Sequence, residues 1–179
     1  MAKRKIKIIG ISGSLRPNSS ASAILNVVAG LLPPEVDVVI YNNLAGIPAF
    51  NDSNDIPGPV QEFIKLIYEA DGVFFCIPEY AFGVPGALKN ALDWTVSTTA
   101  FSDKPVALIT AASSGEKAHA AFLLTLQAIG TKLSEESRLL ISFIRTKLDE
   151  NNQVKDAGTL ESIKRVMNAL LETIATAGH

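Results

Sequence analysis

Apolar residues arrive along this chain in two alternating rhythms. Short runs rich in β-branched residues predict strands at Lys5–Ser12 (KIKIIGIS), Val36–Asn42 (VDVVIYN), Gly72–Ile77 (GVFFCI), Pro105–Ala112 (PVALITAA) and Arg138–Ile144 (RLLISFI). Elsewhere the apolar positions recur at helical spacing. They predict helices over Ser22–Leu32, Pro57–Ala70, Val84–Ser97, Gly115–Gly130 and Thr159–Ala177. In the second of these, Val60, Phe63, Ile64 and Ile67 fall on one stripe. The punctuation agrees with the rhythm. Ser20 or Ser22 is available to cap the first helix and Pro33-Pro34 to end it, Pro85 opens the third, and Gly130 stops the fourth. Thr159 and Ser162 are the capping candidates of the last helix. Gly72–Ile77 is apolar throughout, the pattern of a strand covered on both faces.

Strands that alternate with helices pair in parallel through right-handed crossovers. The predicted fold class is therefore α/β: a three-layer, doubly wound domain around a five-stranded parallel sheet. For a chain of 179 residues the flavodoxin-like order 2-1-3-4-5 fits better than a six-stranded dinucleotide fold. No Pro/Gly/Ser linker, composition shift or repeat divides the chain, so one domain over residues 1–179 is expected. Ligands of such sheets lie beyond the carboxyl ends of the strands, where the strand order reverses. That rule selects Ser12–Ser22, Pro78–Gly83 and Ala111–Gly115, and each breaks the apolar pattern with polar or turn-forming residues.

Composition narrows the function classes. With 47% hydrophobic and 19% charged residues, the chain has material for one sizeable core. A net charge of −2 argues against a dedicated nucleic-acid binder, and the one basic cluster, Lys3-Arg4-Lys5-Lys7, reads as a solvated strand entry. The apolar stretch behind that cluster is too short for a secretory leader and ends in no cleavage pattern. No run reaches the ~20 apolar residues of a membrane helix. The single cysteine, Cys76, lies inside an apolar strand and reads as a buried small hydrophobe in a reducing, cytoplasmic setting. Two histidines, a terminal His179 and a His119 expected to lack a partner, suggest neither a metal site nor histidine catalysis. Asp52, Asp55 and Asp93 are scattered and read as caps, turns or solvated groups.

The three selected segments differ in chemistry. In the first, Gly13 permits close backbone approach, Ser12, Ser14, Ser19, Ser20 and Ser22 offer hydroxyls, and Arg16 offers a planar charged fork. The helix behind adds its N-terminal amides and positive dipole end, so the loop suits a phosphate monoester. It lacks the lysine and second glycine of a nucleoside-triphosphate loop, and it is not GxGxxG. Read as structure alone, it is a serine-rich turn with Ser22 as a helix cap. In the second, Pro78 leads the chain out of the sheet, Gly83 and Pro85 shape a turn, and Tyr80 and Phe82 present aromatic faces to a flat heteroaromatic ring. The plain alternative puts Phe82 and Trp94 in the core or at a subunit contact, with Glu79 bracing the loop. In the third, Ser113, Ser114 and Gly115 are small enough to let a ring approach the backbone, or simply cap the next helix.

GSLRPNSS (Gly13–Ser20) and PEYAFGVPGALKNALDW (Pro78–Trp94) resemble the two signature motifs of the NADPH-dependent FMN reductase family, and the similarity runs along essentially the whole chain. The resemblance implies FMN as cofactor, with Ser14, Arg16, Ser19 and Ser20 around its phosphate; Ser22 joins them as a cofactor-binding candidate from the loop's hydroxyls. Pro78, Glu79, Tyr80, Ala81, Phe82 and Gly83 would then run beside the isoalloxazine, with Ser113, Ser114 and Gly115 on its other side. It further implies a ping-pong cycle: NADPH or NADH delivers hydride, and a small oxidised acceptor such as a quinone or free flavin then collects the electrons. The assembly implied is a homodimer or homotetramer. The chain departs from the family pattern at Ala21 and Ala81, where relatives commonly carry Asn, and at Lys117, where several carry Arg. Two other readings stay open at this level: a flavodoxin-like electron carrier, and a non-catalytic relative that binds without turnover.

Overall fold

The computed structural model describes residues 4–177, so Lys3 and His179 lie outside the described residues. Five strands form one sheet: β1 (Ile6–Ser12), β2 (Val36–Tyr41), β3 (Gly72–Ile77), β4 (Val106–Ala111) and β5 (Arg138–Ile141). All neighbours pair in parallel, in the order β2-β1-β3-β4-β5, which is the predicted doubly wound arrangement. The order reverses beside β1 and β3. There the register sets Ser12 opposite Cys76, while Ile77 lies opposite Thr110 of β4, so the predicted loops leave the sheet side by side.

Alternation along the strands divides the core in two. One face carries Ile9, Ile11, Val73, Phe75 and Leu108 beneath α2 (Gly58–Glu69), α3 (Gly86–Asp93) and α4 (Glu116–Ala128). The other carries Ile8, Phe74, Cys76 and Ile109 beneath α1 (Ser20–Leu31) and α6 (Ala157–Ala177). Every residue of β3 and β4 is buried, as expected of central parallel strands covered on both faces. Cys76 is fully buried and burial pushes its thiol pKa up, so it behaves as a packing residue.

Several element ends differ from expectation for local reasons. The cap of α1 is Ser19, not Ser20 or Ser22: its Oγ accepts from the Ser22 amide at 3.0 Å, and the helix starts two residues early. The cap of α6 is Asp156 rather than Thr159 or Ser162, its carboxylate accepting from the Thr159 amide at 2.8 Å. α3 stops at Asp93, four residues short of Ser97, because the Thr95 and Thr98 hydroxyls donate to the Leu92 and Thr95 carbonyls and wind the chain into turns. β5 stops at Ile141 rather than Ile144. The chain turns there through Phe143, whose φ is +54°, into the short helix α5 (Ile144–Lys147) that the sequence did not announce. A single 3₁₀ turn at Leu44–Gly46 was also unforeseen. Among the described residues no helix is long and apolar enough to cross a membrane.

Candidate active site

The first loop is built largely by its own hydroxyls. The Ser14 amide donates to Ser12 Oγ at 3.1 Å, the Arg16 amide donates to Ser14 Oγ at 3.2 Å, and Ser19 Oγ sits 2.9 Å from Ser22 Oγ. Ser19 is 2% exposed and Ser14 7% exposed, yet no buried side-chain polar atom among the described residues lacks a partner. The serines therefore shape the loop before they meet any ligand. Gly13 is closely packed: its amide donates to the Cys76 carbonyl at 2.8 Å, and a Cβ there would crowd Ile77 at 3.1 Å and Pro78 at 3.2 Å. Among the loop's solvent-facing side chains, the exposed Arg16 pairs with no carboxylate and the half-buried Ser20 has no side-chain hydrogen bond among the described residues. Both stand at the amino end of α1.

The second loop is tied to the first. Tyr80 OH lies 3.0 Å from Ser14 Oγ, bridging two segments far apart in sequence. Tyr80 and Gly83 exchange both backbone hydrogen bonds, 3.1 and 2.9 Å, around a two-residue turn. Its central residues, Ala81 and Phe82, have φ of +48° and +59°, the sign pattern of a type I′ turn. Neither residue favours that region, and Phe82 is 78% exposed, so the loop is strained and holds an aromatic ring out in water. Trp94, by contrast, is buried: its Nε1 donates to the Pro48 carbonyl at 2.9 Å and its ring meets Phe50 edge-on, 5.1 Å between centroids.

Glu79 has a definite task that its sequence position did not disclose. Its carboxylate accepts from the Gly115 amide at 3.3 Å and the Ala118 amide at 2.9 Å, capping α4 from a neighbouring loop. α4 needs this. Its first flanking residue, Gly115, sits at φ +94° and offers no capping side chain, while the helix amides present positive charge. A Cβ at Gly115 would also lie 2.7 Å from Leu140. One turn further, His119 does have a partner, contrary to expectation: its Nδ1 lies 2.8 Å from the Oγ1 of buried Thr110. Burial, and then the Arg138 charge, hold the His119 pKa below its ordinary value.

These walls enclose one cleft of about 360 Å³ at the carboxyl ends of β1, β3 and β4. It is lined by Arg16, Ser19 and Ser20 from the first loop, Pro78, Glu79, Tyr80 and Phe82 from the second, and Ser113 and Ser114 from the third. Ala81, Gly83 and Gly115 shape its walls without lining it. Ser14 and Ser22 lie behind the first loop, where a second hollow of about 370 Å³ opens toward Tyr41 and Asn42, with Arg16 on the boundary between the two. A hollow of about 390 Å³ between the entry to β5 and α6 has no strand carboxyl end at its edge and takes no part in the site. Two lining residues escaped the sequence reading, Ile144 and Arg145. They enter because the turn after β5 is latched onto the third loop. Ser142 Oγ donates to the Ser114 carbonyl at 2.8 Å, and the Phe143 and Ile144 amides donate to Ser113 and Ala112, each at 3.1 Å. Only the basic residue beyond the fifth apolar run could have signalled this.

Known proteins resemble this chain along most of its length. The profile of the NADPH-dependent FMN reductase family matches residues 6–143. An NAD(P)H-dependent FMN reductase of Pseudomonas aeruginosa is 34% identical over 174 residues, spanning 92% of this chain and 93% of its own. A quinone reductase of Escherichia coli is 26% identical over 180 residues, covering 95% and 96%. The solved structure of FerB, a flavoenzyme NAD(P)H:(acceptor) oxidoreductase from Paracoccus denitrificans, superposes with a TM-score of 0.84 over 96% of this chain and 98% of its own, at 23% identity, a likeness of fold. On the strength of the profile match and the Pseudomonas relative, the chain belongs to the NADPH-dependent FMN reductase family, flavodoxin-like oxidoreductases that work with FMN and NAD(P)H.

Proposed function

We propose that the cleft between the three loops is the FMN site of an NAD(P)H-dependent oxidoreductase that passes electrons to a small oxidised acceptor. One observation carries the reading: residues of all three selected loops line a single cleft at the point where the strand order reverses. The donor set fits a mononucleotide. Arg16, the Ser20 hydroxyl and the first amides of α1 face a phosphate, with the Ser14 and Ser19 hydroxyls holding their geometry and Ser22 bracing from behind. Pro78–Gly83 runs beside the ring, with Ser113, Ser114 and Gly115 opposite, and Ala111 and Ala112 leave room between. Held by these residues, FMN would supply the redox chemistry, hydride acceptance from a nicotinamide and electron donation to an acceptor.

The chain's own residues orient and shield. Tyr80, fixed through Ser14, and the exposed Phe82 offer flat apolar faces that exclude water from a stacked ring. Glu79 spends its charge on α4, so it aligns the second and third loops and leaves the ring edge to backbone donors. As acceptors we propose quinones or free flavin, the chemistry named for the relatives. We further assign the chain one domain, a homodimeric or homotetrameric state and a cytoplasmic location. The relatives named above are reductases, which favours this reading over that of an electron carrier.

The test is direct. Purified protein reconstituted with FMN is expected to be yellow, to bleach anaerobically on addition of NADPH or NADH, and to recover its colour when a quinone is added. Protein that takes up no FMN, or holds FMN that neither nicotinamide bleaches, sinks the assignment.

A further inference from the structure

We propose that Arg145 is a second phosphate-gripping cation of the cleft, acting with Arg16 on the phosphate of FMN. The inference rests on the placement of that phosphate at the first loop and adds a residue that neither the signature motifs nor the family match reaches, since the match ends at residue 143.

Charge balance is the first argument. A phosphate monoester carries close to two negative charges near neutral pH. Arg16 supplies one positive charge and the amino end of α1 about half of another, so the first loop leaves the anion incompletely neutralised. The only acidic side chain lining the cleft, Glu79, is occupied by two amides of the α4 entry. Arg145 forms no ion pair and no side-chain hydrogen bond among the described residues, so its guanidinium has nothing else to serve. Two unpaired arginines on the walls of one cleft, with its single carboxylate already engaged, make a pocket for a dianion.

The second argument is how Arg145 comes to be there. β5 ends early, and the chain is forced through Phe143 in the left-handed region, 69% exposed, a costly conformation for an aromatic residue. It is held by the three hydrogen bonds from Ser142, Phe143 and Ile144 to Ala112–Ser114. Strain persists where surrounding bonds over-determine it, and such strain gathers at ligand sites. Here its consequence is to drop Ile144 and Arg145 onto the wall of the cleft that also bears Arg16, Ser19 and Ser20.

The experiment compares FMN with riboflavin, which lacks the phosphate. Dissociation constants of both are measured by fluorescence quenching on flavin-free wild type, R145A, R145K, R145E and R16A, with melting temperatures taken alongside. R145A is expected to weaken FMN roughly tenfold to a hundredfold, the scale of a charge-assisted hydrogen bond, and to leave riboflavin unchanged. R145K is expected to retain part of the FMN affinity, and R145E to lose more than R145A. An unchanged FMN-to-riboflavin ratio in R145A overturns the proposal. So does an equal loss for both flavins with a lowered melting temperature, which marks a structural role. A third overturning result is a raised KM for NADPH but not NADH at saturating FMN, which would assign the cation to the donor's phosphate. R16A keeps the premise separate: if it weakens FMN while R145A does not, only the role of Arg145 fails, and if neither does, the first-loop phosphate site fails with it.

Discussion

The two main walls of the cleft are held by opposite means. The first loop is relaxed and self-sufficient: four serines bond one another and the local backbone, and the loop runs directly into a helix that one of them caps. The second loop is strained and dependent. Two non-glycine residues turn at positive φ, an aromatic ring stands in water, and the loop is fastened by Glu79 to a helix from elsewhere in the chain. A pre-formed cradle suits the invariant part of a cofactor, its phosphate, because no ordering entropy is left for binding to overcome. A wall that keeps strain and an exposed ring in reserve suits the side where donor and acceptor must come and go.

The sharpest way to break this contrast is at Glu79. Glu79→Ala removes two hydrogen bonds to a charge and uncaps α4, so a loss of ~2–3 kcal/mol in stability is expected, together with weaker flavin binding. Urea unfolding with and without FMN reads both. If Glu79→Ala unfolds like the wild type, the second wall does not depend on α4. The matching change in the first wall is Ser19→Ala. It removes the helix cap at a cost of about 1 kcal/mol, the usual scale for such a cap. Because that loop's other bonds persist, the loss should stay local, and riboflavin affinity should be unaffected. A drop in riboflavin binding as large as that in FMN binding would contradict the separation of the two walls.

This contrast also accounts for what the sequence revealed. The elements, the layer structure and the three site loops were legible because they follow from apolar periodicity and from where that periodicity breaks, both local properties; the strand order came from chain length and the few orders open to a doubly wound sheet. The serine-rich loop was legible because its fold is its own doing; even there, the cap proved to be Ser19, since choosing among neighbouring hydroxyls depends on backbone angles. The task of Glu79, the Thr110 partner of His119 and the entry of Arg145 were not legible. Each rests on a tertiary contact that periodicity does not encode: 39 residues separate Glu79 from Ala118, and even the nine between Thr110 and His119 run from a strand through a loop into a helix. The end of β5 was misplaced for a related reason. RLLISFI is mostly apolar up to Ile144, but β5 is an edge strand, and the third loop takes the Phe143 and Ile144 amides that a longer ladder would have used.

A smaller effect is expected at Ala81. The turn itself argues for a different residue there: φ of +48° disfavours alanine and suits Asn or Gly. Ala81→Gly should therefore stabilise the flavin-free protein by about 0.5–1 kcal/mol, the left-handed penalty removed less the added chain entropy. Ala81→Asn should do likewise and shift flavin affinity. Equal melting temperatures for wild type and both variants would mean that the turn stores no strain, and the comparison of the walls would lose its energetic basis.

The finest distinction is one of pH. The first loop contains no group that titrates between pH 5 and 8, whereas the helix that supports the second wall carries His119 against Thr110. Burial and the Arg138 charge depress the pKa of this histidine from its ordinary 6.5, so the folded state binds the proton less readily than the unfolded chain. The sign follows: the contribution is fully present above pH 6.5 and is lost as the pH falls through the depressed folded value. Below pH 6.5 the wild type should therefore lose stability more steeply than His119→Gln, and the two curves should run parallel above it. Flavin release on acidification should track the same difference if the second wall is the one that loosens. Parallel curves across the whole range would show that protonation of His119 is not resisted by the fold, and that α4 is held at the cleft by the Glu79 carboxylate alone.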